Sequence, residues 1–274
     1  MIDIHCHLGT EDFFDGLSKL SVASVMNYAK SKGVIGVIAC GSKREHWSKL
    51  LMLESLREDV LIALGIHPWF LNSESMQHID ELEQILIHHP NIGIGECGLD
   101  FSQNIIKKYT SLGLDPYQCQ IEVFISHLKL AQKFNRPLSV HCFKAWDRFS
   151  SIIDQYYKDG HLPKILVHGF SGSLAMAKFL ENRGVYLSFN AMIMKSKKQL
   201  LVAKQVKRPL LESDGPNCPM PNKAYSYPGQ IPELLSFLST QKGIAEELFA
   251  IQVNRDSLEF LGELGLKYHT WIKT

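Results

Sequence analysis

Several residues able to bind a metal or move a proton stand at the ends of short apolar runs. His5 and His7 end "IDIHCH", His67 lies in "GIHPWF", Glu96 in "GIGECGLD", His141 in "LSVHC", His168 in "ILVHG" and Asp214 in "LLESDGP". In an extended chain side chains two apart share a face. His5 and His7 therefore point one way and Cys6 the other. By the same alternation Cys97 and Cys142 are expected to turn away from Glu96 and His141 and serve as packing thiols. His5, His7, His141 and His168, with the carboxylates of Glu96 and Asp214, suit Zn²⁺, Mn²⁺ or a similar divalent ion. Six protein ligands exceed what one tetrahedral ion needs. Two ions sharing a bridging carboxylate fit better, and such pairs sit about 3.5–4 Å apart and clamp both oxygens of a displacement. His67 precedes Pro68 and is either a turn residue or a substrate contact. Glu96 is either a loop carboxylate or part of a crowded functional spot, and Gly93, Gly95 and Gly98 around it favour close backbone approach.

Such residues form one site only if a fold gathers them. Strand-like runs occur at 2–5, 33–40, 60–66, 91–97, 138–142, 164–169, 185–190 and 208–214. Amphipathic segments lie between most of them, several ending at Gly or Asn or just before Pro. Strands alternating with helices in this number predict an α/β fold, a (β/α)8 TIM-type barrel, with a doubly wound open sheet as the rival. In a parallel barrel all the strand ends carrying these residues lie on one face. The Pro/Gly-rich stretch 215–232 reads as a long loop shaping that face. Extra C-terminal helices are expected in three pieces, "IPELLSFLST", "GIAEELFAIQ" and "VNRDSLEFLGEL". His46, His78, His88, His89, His161 and His269 read as solvated, and His127 as structural. Trp69, Phe70, Phe143 and Trp146 follow site residues closely. They belong either to the core or to a mouth where a base can stack.

The chain has 274 residues and is 45% hydrophobic, enough for one barrel domain over 1–274 with a substantial core. Its formal net charge of +1 argues against a surface that grips long nucleic acid through many phosphates. A polyanionic substrate must then be drawn by a few side chains or by metal ions. The six cysteines contain no C-x-x-C pair and read as reduced thiols of a cytoplasmic protein. No apolar run reaches the length of a membrane span and no signal peptide is evident. A monomer is expected.

The ordered set "DIHCH", "GIHPW", "GIGECGLD", "PLSVHC", "VHGFSGS", "YLSFN" and "LLESDGP" strongly resembles the TatD-type metal-dependent hydrolases, a branch of the amidohydrolase-like barrels. The match runs from residue 3 to about residue 216, with a weaker echo at Asn254. The resemblance implies a Mg²⁺-, Mn²⁺- or Zn²⁺-dependent deoxyribonuclease, though some relatives cleave D-aminoacyl esters from tRNA. Carried over, it implies that His5, His7, Glu96 and Asp214 hold one divalent ion and that Glu96, His141 and His168 hold a second. It further implies that Asp214 orients or deprotonates the attacking water, with Glu212 supporting it from the same strand face. Two departures bear on substrate. The family usually follows the fifth-strand histidine with a small residue and an arginine, whereas "HCFKAW" has Phe143 and then Lys144. The Arg-Asn pair expected near Pro in the last loop is missing from "YSYPGQIPEL". Lys144 or Lys223 can replace the arginines as a point charge but not as a fork.

The implied activity is hydrolysis of DNA, single-stranded or at strand ends and in an exonucleolytic manner, by a water activated between two ions. Asp214 takes its proton and His67 hydrogen-bonds a phosphate oxygen. Two rivals remain. The same water can attack a carbonyl, making an acyl or amide hydrolase such as an aminoacyl-tRNA deacylase. Alternatively the barrel only binds and does not catalyse.

Overall fold

The computed structural model describes residues 1–10 and 21–266; residues 17–20 of the first helical pattern and His269 lie outside them. Eight strands, β1 (Ile2–Cys6), β2 (Gly36–Gly41), β3 (Val60–Leu64), β4 (Gly93–Asp100), β5 (Leu138–Phe143), β6 (Ile165–Val167), β7 (Tyr186–Phe189) and β8 (Pro209–Leu211), pair in chain order, each parallel to the next. The sheet closes on itself just past β8. Asp214 N–H donates to His5 O at 3.0 Å, and His7 N–H donates to Gly215 O at 2.9 Å. The open sheet is thereby excluded, and the barrel reading stands.

Helices cover the outside: α1 (Val22–Ser31), α2 (Trp47–Leu56), α3 (Ser75–His88), α4 (Gln103–Ser111), α5 (Gln118–Phe134), α6 (Trp146–Lys158), α7 (Leu174–Glu181), α8 (Met192–Lys195), α9 (Lys197–Gln205), α10 (Ile231–Lys242) and α11 (Glu246–Leu261). Strands buried on both faces read as near-continuous apolar runs. The two faces feed two separate cores. Val37, Ala39, Val60, Ile62, Ile94, Cys97, Leu138 and Val140 pack outward against helices. Ile2, Ile4, Ile38, Cys40, Leu61, Ala63, Leu166 and Leu210 fill the barrel. Leu258, Phe260, Leu261 and Leu264 close the barrel's lower end. Arg208 fastens this plug through Glu259 at 2.6 Å and Asp256 at 3.3 Å. The lower end is thus sealed by apolar packing, and the polar strand ends are left at the mouth.

The tail differs from its reading. "GIAEELFAIQ" and "VNRDSLEFLGEL" form one helix, α11, followed by a short 3-10 turn, Gly262–Gly265. Neither Gly nor Pro interrupts 244–261, so nothing breaks the helix before Gly262. Helix α4 has no counterpart in the sequence reading. Its Tyr109 is fully buried, donates its hydroxyl to Pro68 O at 2.6 Å and accepts Leu71 N–H at 3.0 Å. It thereby ties down the loop that carries His67. His46 is also buried rather than solvated, in the turn after β2, where its Nδ1 faces Ser42 N–H at 3.4 Å.

Two irregular pairings aim the site residues. Asp3 pairs with Val37 and Cys6 with Ala39, so β1 carries one residue more than β2 over that stretch. Ile4 and His5 therefore both face the barrel interior, whereas regular alternation would turn one outward. Strand β4 repeats this between Ile94, opposite Leu138, and Cys97, opposite Val140, and the result is an inward Glu96. Strands β4 and β5 also approach very closely. A Cβ at Gly95 would meet Ser139 O at 2.3 Å, and one at Gly98 would meet His141 O at 1.9 Å. With φ of +114° and +138°, these two positions are open to glycine alone.

Two measurements check this account. Gly98→Ala should cost about 3 kcal/mol or more, because it adds both overlap and left-handed strain; an unchanged urea midpoint would refute the close approach. His127, on α5, accepts Ile66 N–H on Nε2 at 3.2 Å and donates from Nδ1 to Val123 O at 2.8 Å. Only the neutral ring does both, and burial pushes its pKa down to about 4. The unfolded chain takes up this proton first. Stability from His127 is therefore whole above about pH 6.5 and falls by up to about 3 kcal/mol as pH drops toward 4. His127→Leu should lose about 1–3 kcal/mol at neutral pH through the unpaired Ile66 N–H. It should also decline less steeply than the wild type between pH 7 and about pH 4.5. Parallel declines, measured by urea unfolding of metal-free protein, would count against the assignment.

Candidate metal centre

The closed barrel brings every candidate ligand and proton-transfer residue named in the sequence to its mouth. His5 and His7 come from the end of β1, and His67 from the turn after β3. Glu96 comes from β4, His141 from β5, and His168 from the residue after β6, where its N–H donates to Val140 O at 3.0 Å. Glu212 and Asp214 follow β8. Glu96 lies at the centre, with only 3% of its surface exposed. Its Oε2 faces His7 Nε2 at 3.7 Å. Its Oε1 faces His168 Nε2 at 2.7 Å, His67 Nε2 at 3.4 Å and His141 Nδ1 at 3.8 Å. Asp214 Oδ1 lies 3.4 Å from His7 Nε2 and 4.0 Å from His5 Nε2. His168 also stacks on His5, ring centres 3.9 Å apart. Among the described residues three groups have ligand atoms close enough for one ion: His5 with His7 and Glu96, His5 with His168 and Asp214, and His67 with Glu96 and His141.

The hydrogen bonds on the far side of each ring decide which nitrogen faces the centre with a lone pair. A carbonyl or carboxylate oxygen only accepts, and a backbone N–H only donates. His7 Nδ1–H donates to Cys40 O at 3.2 Å, so Nε2 is free to ligate. His141 Nε2–H donates to Asp100 Oδ2 at 3.3 Å, so Nδ1 is free. His5 Nδ1 is bonded to Ser139 Oγ at 2.8 Å, and its Nε2 is buried without a hydrogen bond. Both ring nitrogens of His168 are likewise buried without a well-aligned hydrogen bond. His67 is the exception. Its Nδ1 accepts Trp69 N–H at 3.1 Å, so the neutral ring carries its proton on Nε2 and points an N–H, not a lone pair, at Glu96.

Charge tells the same story. Burial pushes His67 down to about 3, so it is neutral at physiological pH. Burial also drives His5 well below the usual imidazole range. Burial opposes charging His7 and His168 too. There the carboxylates prevail, Asp214 and Glu96 lifting His7 to about 9 and Glu96 with Glu212 lifting His168. Burial alone would raise Glu96, but His67, His168 and His7 hold it well below the carboxylate range. Lone-pair nitrogens directed at buried anionic oxygens require positive charge between them, either protons or metal. The donor set of imidazole nitrogens and carboxylate oxygens therefore fits a divalent cation.

Supporting contacts hold this geometry. Glu212 is fully buried and accepts Gly169 N–H at 2.7 Å, Asn190 Nδ2–H at 3.1 Å and the Ser188 hydroxyl, with its Oε1 3.8 Å from His168 Nδ1. Asp214 has φ of +48°, and the Cys218 thiol donates to its Oδ2 at 3.2 Å. The loop after β8 is thus locked onto the site. Asp100 escaped the sequence reading. It accepts Trp69 Nε1–H at 2.6 Å and Ser102 N–H at 2.8 Å while holding His141. Its signal was strand parity, since residues 96, 98 and 100 share a face of β4. Ser139 and His141 on β5, and Ser188 and Asn190 on β7, follow the same rule.

A cavity of about 560 Å³ opens above the cluster. Trp69, Phe70 and Phe143 line it, joined by Phe170 and Phe189, which the sequence reading did not single out. Trp146 stands behind Phe170, ring centres 5.1 Å apart, and does not reach the cavity. Cys97 packs in the outer core as expected, whereas Cys142 does so while also bordering the cavity. Among the described residues no lysine or arginine lines the cavity, and neither Lys144 nor Lys223 borders it. Asn254 sits on α11, outside this cavity. No described helix is long and apolar enough to cross a membrane.

Known proteins share this combination. The 3′-5′ ssDNA/RNA exonuclease TatD of Pantoea ananatis is 24% identical over 274 residues, covering 96% of this chain and 99% of its own. The metal-dependent hydrolase YjjV of Escherichia coli is 30% identical over 227 residues, 80% of each chain. The crystal structure of YjjV, a TatD homolog, matches the fold with a TM-score of 0.83 at 24% identity, covering 95% of this chain and 97% of that one. The family described as TatD related DNase matches residues 2–270, spanning all the strands and every residue of the carboxylate–imidazole cluster. The chain belongs to that family.

Proposed function

We propose that this protein is a divalent-metal-dependent phosphodiesterase that hydrolyses single-stranded DNA or strand ends. One observation carries the proposal: Glu96 presents its two oxygens to different imidazoles within one buried cluster. Oε2 turns to His7, while Oε1 turns to His141 and His168. That arrangement supports a carboxylate shared between two ions. His5, His7, Glu96 and Asp214 would hold one, and Glu96, His141 and His168 the other. Bound ions would supply an activated water and neutralise charge that develops on the phosphate. Asp214, ionised and held at the rim by Cys218, accepts the water's proton. His67, neutral with its proton on Nε2, donates a hydrogen bond to a phosphate oxygen. The same tautomer argues against His67 as a ligand, although it lies within ligating reach. Glu212 orients His168 and Asp100 orients His141. The exonuclease activity named for the Pantoea relative supports a nucleic-acid substrate.

A second reading has its own support. Among the described residues no lysine or arginine lines the cavity, and an ester or amide carbonyl needs none. An acyl hydrolase would cleave p-nitrophenyl esters and leave DNA intact.

Two experiments test these assignments. Metal-free protein titrated with Zn²⁺ or Mn²⁺ should melt at a higher temperature, gaining about 2.7 kcal/mol at a hundredfold excess over Kd. Glu96→Ala should lose most of that gain while remaining folded by circular dichroism; an undiminished gain would contradict the shared carboxylate. With a saturating ion, end-labelled single-stranded DNA should be shortened to mononucleotides. His67→Ala should reduce kcat by about 10²-fold or more at unchanged metal content. Metal loss in His67→Ala would instead make it a ligand. Intact DNA with every divalent ion tried would end the nuclease reading.

A further inference from the structure

The cavity over the cluster has aromatic walls and no lysine or arginine among the described residues, so a phosphate beyond the one that bound ions would neutralise finds no such partner there. A second concavity, about 410 Å³, lies beside it and is lined by Phe101, Lys144, Ala145, Asp147, Arg148 and Ser151. The ridge between the two is Phe143. It lines the first cavity, its carbonyl accepts Phe101 N–H at 2.9 Å, and Lys144 Nζ stands 5.6 Å from its ring centre. Lys144 has φ of +54°, a left-handed conformation that a side-chain-bearing residue adopts only at a cost. That turn directs Phe143 into one cavity and Lys144 into the other. Neither Lys144 nor Arg148 has an acidic partner within ion-pair distance among the described residues, although Asp147 shares the concavity. By contrast Arg183 is paired with Asp154.

We propose that the Lys144–Arg148 concavity is a phosphate subsite for the single-stranded nucleic acid engaged at the mouth. It would hold a flanking phosphodiester while the base beside it stacks on Phe143 or Phe101. This rests on the nuclease reading. It also assigns a place for the basic contacts that the inner cavity lacks. Arginine and lysine side by side, next to the exposed Phe143 ring and the half-buried Phe101, provide backbone charge neutralisation and sequence-tolerant stacking together.

The test uses the full chain. Binding of a fluorescein-labelled deoxythymidine oligomer is followed by anisotropy in EDTA, and hydrolysis of bis(p-nitrophenyl) phosphate is followed with Mn²⁺. The variants are Lys144→Gly, Arg148→Gln and the pair. Lys144→Gly removes the charge and relieves the left-handed strain, so its melting temperature should hold or rise. The double variant should raise Kd for the oligomer about tenfold and reduce the slope of log Kd against log salt by about 1.4. Hydrolysis of bis(p-nitrophenyl) phosphate, which carries only the scissile phosphate, should stay within about twofold. Unchanged Kd and salt slope in the double variant, or no oligomer binding by the wild type, would overturn the subsite. The nuclease reading is judged separately by wild-type hydrolysis of labelled DNA. Binding lost in the double variant while the wild type fails to cleave would uphold the subsite and reject that reading.

Discussion

The buried Glu96 carboxylate is the constraint on which the rest of this structure depends. Taking an ionised carboxylate out of water is costly unless opposite charge and hydrogen-bond donors surround it. Here His7, His67, His141 and His168 approach it from four other segments, and His67, His168 and His7 outweigh the effect of burial and keep it ionised. No local stretch could supply that shell. It exists because a parallel barrel delivers the ends of β1, β3, β5 and β6 to the same mouth as β4.

Holding a charge there requires backbone that departs from regular geometry. The extra residue in β1 turns His5 inward beside Ile4, and the extra residue in β4 does the same for Glu96. Gly95 and Gly98 let β4 lie against β5 closely enough to bring His141 Nδ1 within 3.8 Å of Glu96 Oε1. The opposite end of the barrel is conventional: Leu258, Phe260, Leu261 and Leu264 plug it with apolar volume. Irregular backbone at one end is tolerated because apolar packing and the Arg208 ion pairs secure the other.

Outer hydrogen bonds then divide nearly equivalent histidines into different roles. Cys40 O and Asp100 each take a ring proton, leaving His7 and His141 with a lone pair toward the centre. Trp69 N–H does the reverse to His67. Three imidazoles at similar distances from Glu96 thus differ in what they turn toward it, two offering a lone pair and one an N–H. Trp69 serves twice, fixing the His67 tautomer with its backbone and Asp100 with its indole. The turn "HPW" therefore couples the donor to the ligand set.

Much of this was legible in the chain itself. Apolar runs alternating with amphipathic segments specify a barrel because parallel strands buried on both faces need such runs. Strand parity placed His5 with His7 and Cys6 opposite, since successive side chains must alternate. The residues that would meet at the mouth were identifiable because polar groups at the ends of apolar strands have no packing reason to be there. Other features depended on three-dimensional neighbours. The extra residues in β1 and β4 appear only in the pairing with β2 and β5. Burial of His46 depends on the turn that folds over it, and α4 owes its place to Tyr109 bonding Pro68 and Leu71. Whether a histidine turns a lone pair or an N–H toward Glu96 depends on which oxygen or N–H lies behind its ring. Sequence by itself determined that His5 and His7 share one face and Cys6 takes the other, because backbone alternation is local; which face turns to the mouth depended on the extra residues in β1 and β4. Only the tertiary structure decided what each does there, because tautomer and charge answer to partners drawn from distant strands.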